Sequence, residues 1–215
     1  MAFITVSREF GSFGTTISQH AAQALGYDYI DKTVLEKVLA QYGLVTFQKF
    51  YDSPHSFWER LEDGNQDIIA VFNSAVLECS KADRAVFVGR AGFALLRGYE
   101  NVFHVLIRAP FENRVTNAME TMHIADRAQA EELVRRHDMT RESYLRTFYN
   151  ASAGDAGFFN LVADTGCVPP ATVEKWIVEA ARILEQKQID PEKSTRSIHS
   201  DVVMQKTVAA VLHPA

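Results

Sequence analysis

Cysteine is nearly absent from this chain of 215 residues, which holds only Cys79 and Cys167. Two thiols cannot build a disulfide framework, and they lack metal-ligand spacing. They are expected as small buried side chains. No apolar run reaches the ~18 residues of a membrane span. Basic residues are not in excess either: 22 Lys and Arg stand against 27 Asp and Glu, for a net charge of −5. That balance argues against a dedicated nucleic-acid-binding surface, although a local basic cleft remains open to it. The seven histidines are scattered without metal-ligand pairing, so no zinc site is expected. Missing too is a basic leader with an apolar stretch and a small-residue cleavage site, and a cytoplasmic location is the expectation. What the chain does have is a 47% hydrophobic composition, enough to bury a full core.

The apolar residues are patterned as short strands alternating with helices. Residues 1–6, 26–31, 85–88, 102–107 and 161–164 read as strands. Residues 15–25, 32–42, 67–79, 111–122, 128–149 and 171–184 read as helices, several with an apolar face at 3.6-residue spacing. Residues 43–64 are rich in aromatics and broken at Ser53-Pro54, which suggests short helices or a mobile subdomain. The alternation predicts an α/β fold: a five-stranded parallel sheet with helices on both faces. Ligands of such sheets bind beyond the carboxyl ends of the strands. Four features fall there: the loop 7–14, Asp31, Gly89-Arg90 and Asp164.

The loop Ser7-Arg8-Glu9-Phe10-Gly11-Ser12-Phe13-Gly14 lies between the first strand and a helix opened by Thr15-Thr16. Strand, glycine loop and helix form the frame in which P-loop proteins hold a phosphate, because loop N–H groups and the helix N-terminus point at the anion. The pattern G-x-x-x-x-G-K-[ST] is nevertheless broken. Arg8 and Phe13 stand where glycines belong, Gly14 stands where the lysine belongs, and only Thr15 fits.

The segments Ile4-Thr5-Val6-Ser7-Arg8-Glu9-Phe10-Gly11-Ser12, Asp31-Lys32, Val88-Gly89-Arg90 and Asn160-Leu161-Val162-Ala163-Asp164-Thr165, in this order, resemble the cytidylate kinase-like family of P-loop nucleoside monophosphate kinases. The resemblance spans about residues 3–185. It implies Mg²⁺-dependent phosphoryl transfer from ATP to a pyrimidine monophosphate, with a kinase-like domain at 1–185, an acceptor-binding helical segment near 32–82 and an arginine-containing helical lid near 126–157. It further implies that Gly11, Ser12, Phe13 and Gly14 wrap the donor phosphates, with Thr15 or Thr16 near the metal. Asp31 falls at the family's active-site aspartate and is a second candidate for the metal. Lys37 and Arg90 fall at acceptor-phosphate positions, but the aspartate that follows this arginine in the family is Ala91 here. Arg135, Arg136, Asp138 and Arg141 fall in the lid, where Arg136 and Arg141 are candidate catalytic groups.

Each of these residues has a plainer role open to it. Arg8 either replaces the missing lysine or pairs structurally with Glu9. Asp31 either serves chemistry or caps the following helix. The arginines of 135–146 either close over a ligand or form a solvated face. Residues 152–157 look flexible enough to let a lid move. The aromatics of 47–58 either pack or border the acceptor. With the lysine missing, three functions stay open: a cytidylate-type kinase, a kinase for another small acceptor, and a nucleotide-binding regulator without catalysis. The polar stretch 186–200 leads to a helix at 202–212 with Met204, Val208, Val211 and Leu212 in a stripe. A lone helix this short is marginal in water. The stripe therefore needs a partner surface, and a second subunit, making a homodimer, is favoured over the chain's own domain.

Overall fold

The computed structural model describes residues 2–43, 66–199 and 201–213. The aromatic segment of 43–64 lies, apart from Gly43, outside the described residues. The parallel sheet is formed by β1 (Ala2–Arg8), β2 (Asp28–Ile30), β3 (Arg84–Val88), β4 (Val102–Arg108) and β5 (Leu161–Asp164), in the order β2-β3-β1-β4-β5. Helices α1 (Gly14–Leu25), α2 (Lys32–Gln41), α3 (Gln66–Cys79), α4 (Gly92–Leu95), α5 (Phe111–Met122), α6 (Arg127–Tyr149), α7 (Pro170–Gln186) and α8 (Val202–Leu212) connect and cover it. None of the helices among the described residues is long and apolar enough to cross a membrane.

Strand alternation divides the core into two faces. Phe3, Ala85 and Phe87 point towards α2, α3 and α8. Ile4, Val6, Val86, Val88, Val105 and Ile107 point towards α1 and α7. The period of two along each strand sends neighbouring side chains to opposite layers. Strand β1 lies between β3 and β4, and pairs with both in register through Val6. It runs two residues further than its apolar pattern suggests, through Ser7 and Arg8. The chain leaves β1 towards β2 and leaves β4 towards β5, so the two connections diverge at the carboxyl ends of these neighbouring strands. A crevice opens at such a divergence.

The C-terminal stripe packs on the chain's own domain. Met204 and Val208 are buried in the domain's own core, with Val211 and Leu212 packed against it. Asp201 caps α8 through the amides of Val203 and Met204. The linker before α8 is tied down as well. The Asn101 amide nitrogen donates to Thr195 Oγ1 at 2.8 Å, and Thr195 Oγ1 donates to the Ser80 carbonyl at 2.7 Å. The dimer expectation is therefore corrected at this stripe, because the apolar surface that required a partner is covered from within.

Cys79 is buried, and burial pushes its thiol up to about 12, whereas Cys167 is exposed, against expectation. The segment 152–157 is tied to the domain at its start, while residues 154–157 are exposed. Ala151 and Ala153 are buried, and the Ala153 amide donates to Glu142 at 3.0 Å.

Candidate active site

Two loops at neighbouring strand ends build a cleft of about 960 Å³. The first follows β1. Gly11 has φ +80°, and a Cβ placed on it would lie 2.5 Å from the Arg114 carbonyl oxygen. A side chain here would be strained by its dihedral and would clash with α5. Phe13 is also left-handed (φ 61°) and packs its ring on the α1 and α7 core layer. The first turn of α1 contains no acidic residue, and its leading N–H groups have no carbonyl partner within the helix. Thr15 and Thr16 are exposed on that turn and line the cleft.

Ser12 sits behind the loop. Its buried hydroxyl donates to the carbonyls of Glu9 at 2.8 Å and Ile107 at 3.2 Å. Its own carbonyl accepts from Thr165 Oγ1 at 3.1 Å. Ser12 shapes the loop and is not placed to wrap a phosphate with its side chain.

The second loop follows β3. Gly89, Arg90 and Ala91 are left-handed in succession, with φ of 81°, 52° and 55°. Two of the three carry a Cβ, and each such residue costs roughly 1–2 kcal/mol. Strain of this kind persists only where the surroundings over-determine it, and it gathers at functional sites. The turn delivers Arg90 and Ala91 to the cleft wall.

Arg8 lies between the two loops. A Cβ on Gly14 would come within 2.4 Å of Arg8 Cβ, and one on Gly89 within 2.3 Å of Arg8 Nη1. The two glycines thus leave the space that the arginine fills from stem to tip. Glu9 does not pair with Arg8. It faces Arg114 instead, and among the described residues no carboxylate lies within ion-pair distance of Arg8. Burial and the neighbouring Arg90 lower its guanidinium to about 10, with Arg141 adding to the effect while Tyr29 and Asp31 oppose it.

Helix α6 forms the facing wall. Arg141 donates from Nη1 to the Arg8 carbonyl, and its Nε is buried without a hydrogen-bond partner among the described residues. Burial lowers its pKa, while Glu9 and Asp138 act against that. Arg136 is exposed and lines the same cleft. His137 stacks flat on Phe10, with ring centroids 4.2 Å apart, and burial and Arg136 lower its pKa.

Of the expected residues, Arg8, Gly11, Phe13, Gly14, Thr15, Thr16, Arg90, Arg136 and Arg141 come together at this cleft. Asp31, Lys37 and Asp164 do not line it. Asp31 caps α2, accepting from the Thr33 and Val34 amides at 2.8 and 3.2 Å. Lys37 is exposed, and Lys32 lines the cleft in its stead. Five residues of helix turn Lys37 about 140° away from the direction of Lys32. Asp164 pairs with Arg108 at 3.5 Å and accepts from the Gly166 amide. Arg114 and Asn117 were missed, since nothing local separates them from other polar positions of α5. The Asn117 amide nitrogen supports the loop by donating to the Gly11 carbonyl at 2.8 Å.

The charge of the cleft opposes that of the chain. Arg8, Lys32, Arg90, Arg136 and Arg141 line it, and its two described carboxylates, Glu9 and Asp138, both face Arg114. In a protein with a net charge of −5, this concentrates positive potential where a helix N-terminus also points.

The profile of the cytidylate kinase-like family matches residues 3–166. A cytidylate kinase of Pyrobaculum islandicum is 28% identical over 169 residues, covering 77% of this chain and 84% of that protein. Among solved structures, an uncharacterized protein from Eubacterium ventriosum superposes with a TM-score of 0.67 at 18% identity, covering 85% of this chain and 99% of that one. A gluconokinase from Sinorhizobium meliloti superposes with a TM-score of 0.50 at 15% identity, covering 86% and 94%.

Proposed function

This chain belongs to the cytidylate kinase-like family, and we propose that it transfers the γ-phosphoryl group of ATP to a small acceptor resembling a nucleoside monophosphate. The observation that carries this is the cationic cleft of an acidic protein, built where α1 presents its N-terminus. Phosphoryl transfer needs positioning and compensation of charge more than covalent chemistry from the protein. An acceptor phosphate oxygen attacks the γ-phosphorus as the bond to the β–γ bridging oxygen breaks, and ADP leaves. Arg8 takes the part of the missing lysine. It reaches the cleft from the strand rather than from the helix, and its guanidinium suits phosphate oxygens. Gly11, Gly14 and the first amides of α1 hold the donor phosphates. Arg136 and Arg141 neutralise the transferring group from the lid, and Arg90 with Lys32 takes the acceptor phosphate.

Mg²⁺, when bound, screens the donor phosphates from one another and is held largely by their oxygens and water. The donor set fits such an ion. Thr15, on the first turn of α1 and lining the cleft, offers a hydroxyl beside the phosphate oxygens and water, whereas Asp31 caps α2 outside the cleft wall and is not counted as a ligand. The base preference is separate from this machinery. Ala91 stands where cytidylate kinases carry an aspartate, so we infer a relaxed choice of base or a different acceptor. A nucleotide-binding regulator is the second reading, favoured by the loss of the lysine. ADP release from Mg-ATP, measured with cytidylate, uridylate and a panel of small hydroxyl-bearing acceptors, tests both. Turnover that depends on one acceptor supports the kinase. ATP binding without turnover on any acceptor favours the regulator.

A further inference from the structure

Arg114 is a heavily engaged buried charge that plays no part in the roles assigned above. Its side chain is 8% exposed. From the first turn of α5 it reaches three separate elements. Nε donates to the Ala109 carbonyl beyond β4 at 3.1 Å. Glu9 of the first loop places Oε2 3.4 Å from the same nitrogen. Nη1 contacts both carboxylate oxygens of Asp138 on α6 at 2.9 Å each. The Arg114 carbonyl is also the group that Gly11 approaches too closely to carry a Cβ. Glu9 in turn accepts from the Ala109 amide at 3.0 Å.

We propose that Arg114 is a positioning residue that docks the lid helix on the phosphate loop before any ligand arrives. Asp138 lies one turn before Arg141 on α6, so fixing Asp138 sets where Arg141 stands. Arg141 then reaches the Arg8 carbonyl. Loop and lid are thereby registered to one another through a single buried guanidinium. Fork-shaped geometry gives this junction an orientation that a lysine could not supply. A lid docked in advance loses less freedom when the ligand binds, and its arginines need not search for their places. The catalytic consequence rests on the kinase reading, whereas the docking itself does not.

The test uses the full chain with Asp138→Asn, which keeps the shape and removes the charge, and with Arg114→Lys, which keeps the charge and removes the fork. Hydrogen exchange of the α6 amides is read without ligand. Exchange over residues 134–145 should rise on the order of tenfold in each variant, while the amides of β1, β3 and β4 keep their protection. The double variant should exchange no faster than the more affected single one, since both act on one junction. Unchanged α6 exchange in Asp138→Asn overturns the docking role. Equal loss of protection in the sheet overturns it too, by showing a general structural part. With ATP and an active acceptor, kcat should fall on the order of tenfold while KM for ATP moves by less than about threefold. A wild-type protein that binds no ATP would sink the kinase reading, and the exchange data would still decide the docking role.

Discussion

The loops after β1 and β3 lie side by side, and both use left-handed residues, yet they solve different problems. The first is followed by a helix of 12 residues, the second by one of four. A long helix gathers a useful dipole and leaves a row of amides at its start. A four-residue helix does neither, so the second loop contributes a side chain instead and holds Arg90 in a strained backbone to do so. The two meet at Arg8, whose stem rests against Gly14 of the first and whose tip rests against Gly89 of the second. On the proposed function, backbone and side-chain recognition share this one arginine, and its position depends on glycine in both loops.

The largest effect is expected from removing that arginine. Arg8→Ala should lower turnover by about 10²–10³-fold, as loss of a group that stabilises transition-state charge does. Its melting temperature should barely fall, because three crowded cations become two. Initial rates of ADP release and a thermal melt decide this. A large drop in melting temperature with turnover nearly intact would make Arg8 structural and dissolve the comparison.

Acid should act on the support of the second loop. His104 on β4 is buried, shares a 2.6 Å hydrogen bond with Thr5 and also bonds the Leu96 carbonyl just past α4. Burial lowers its pKa to about 4. Between there and the ordinary value near 6.5, the unfolded chain binds a proton that the folded one refuses. Stability is therefore complete above about pH 6.5 and is lost as the pH falls towards 4, by up to about 3 kcal/mol. Denaturant melts across this range should show the loss, and His104→Gln should flatten it. A parallel loss in His104→Gln would assign the acid sensitivity elsewhere.

A smaller effect should follow from Gly89→Ala. The new methyl meets the guanidinium end of Arg8, which must shift, and the left-handed backbone at this position adds a strain of roughly 1–2 kcal/mol that a thermal melt would read. Turnover should fall about tenfold with ATP affinity nearly kept, as expected when a transition-state contact moves by an ångström or so. ATP titration by calorimetry beside the rate measurement separates the two. If affinity falls as far as rate, Arg8 serves ground-state binding.

The smallest is a gain. Arg90→Gly should stabilise the protein by roughly 0.5–1 kcal/mol by relieving its left-handed backbone. It should also raise KM for the acceptor more than for ATP. A variant that is both less stable and fully active would show that the strain serves packing rather than binding.

Much of the architecture was legible because it depends on local periodicity. The bounds of Phe111–Met122, Leu161–Asp164 and Val202–Leu212 follow from apolar spacing and turn residues alone. The strand-end rule then located Gly11, Gly14 and Arg90 at one crevice without any contact being known. Asp31 and Asp164 escaped that rule because each has nearer partners, the α2 amides for Asp31 and Arg108 for Asp164, and Lys37, suggested by the resemblance, is turned away by its helical phase. Arg114 could not be found at all, since its partners lie on other elements far along the chain.

By itself the sequence determined the α/β alternation, the two glycine loops and the absence of the phosphate-binding lysine, because these are properties of neighbours in the chain. Tertiary structure decided which arginine faces which carboxylate, that Glu9 belongs to Arg114 and leaves Arg8 to the cleft, and that the C-terminal helix covers its own core. Those outcomes depend on distances between segments remote in sequence. Only the packing of helices on a twisted parallel sheet sets such distances.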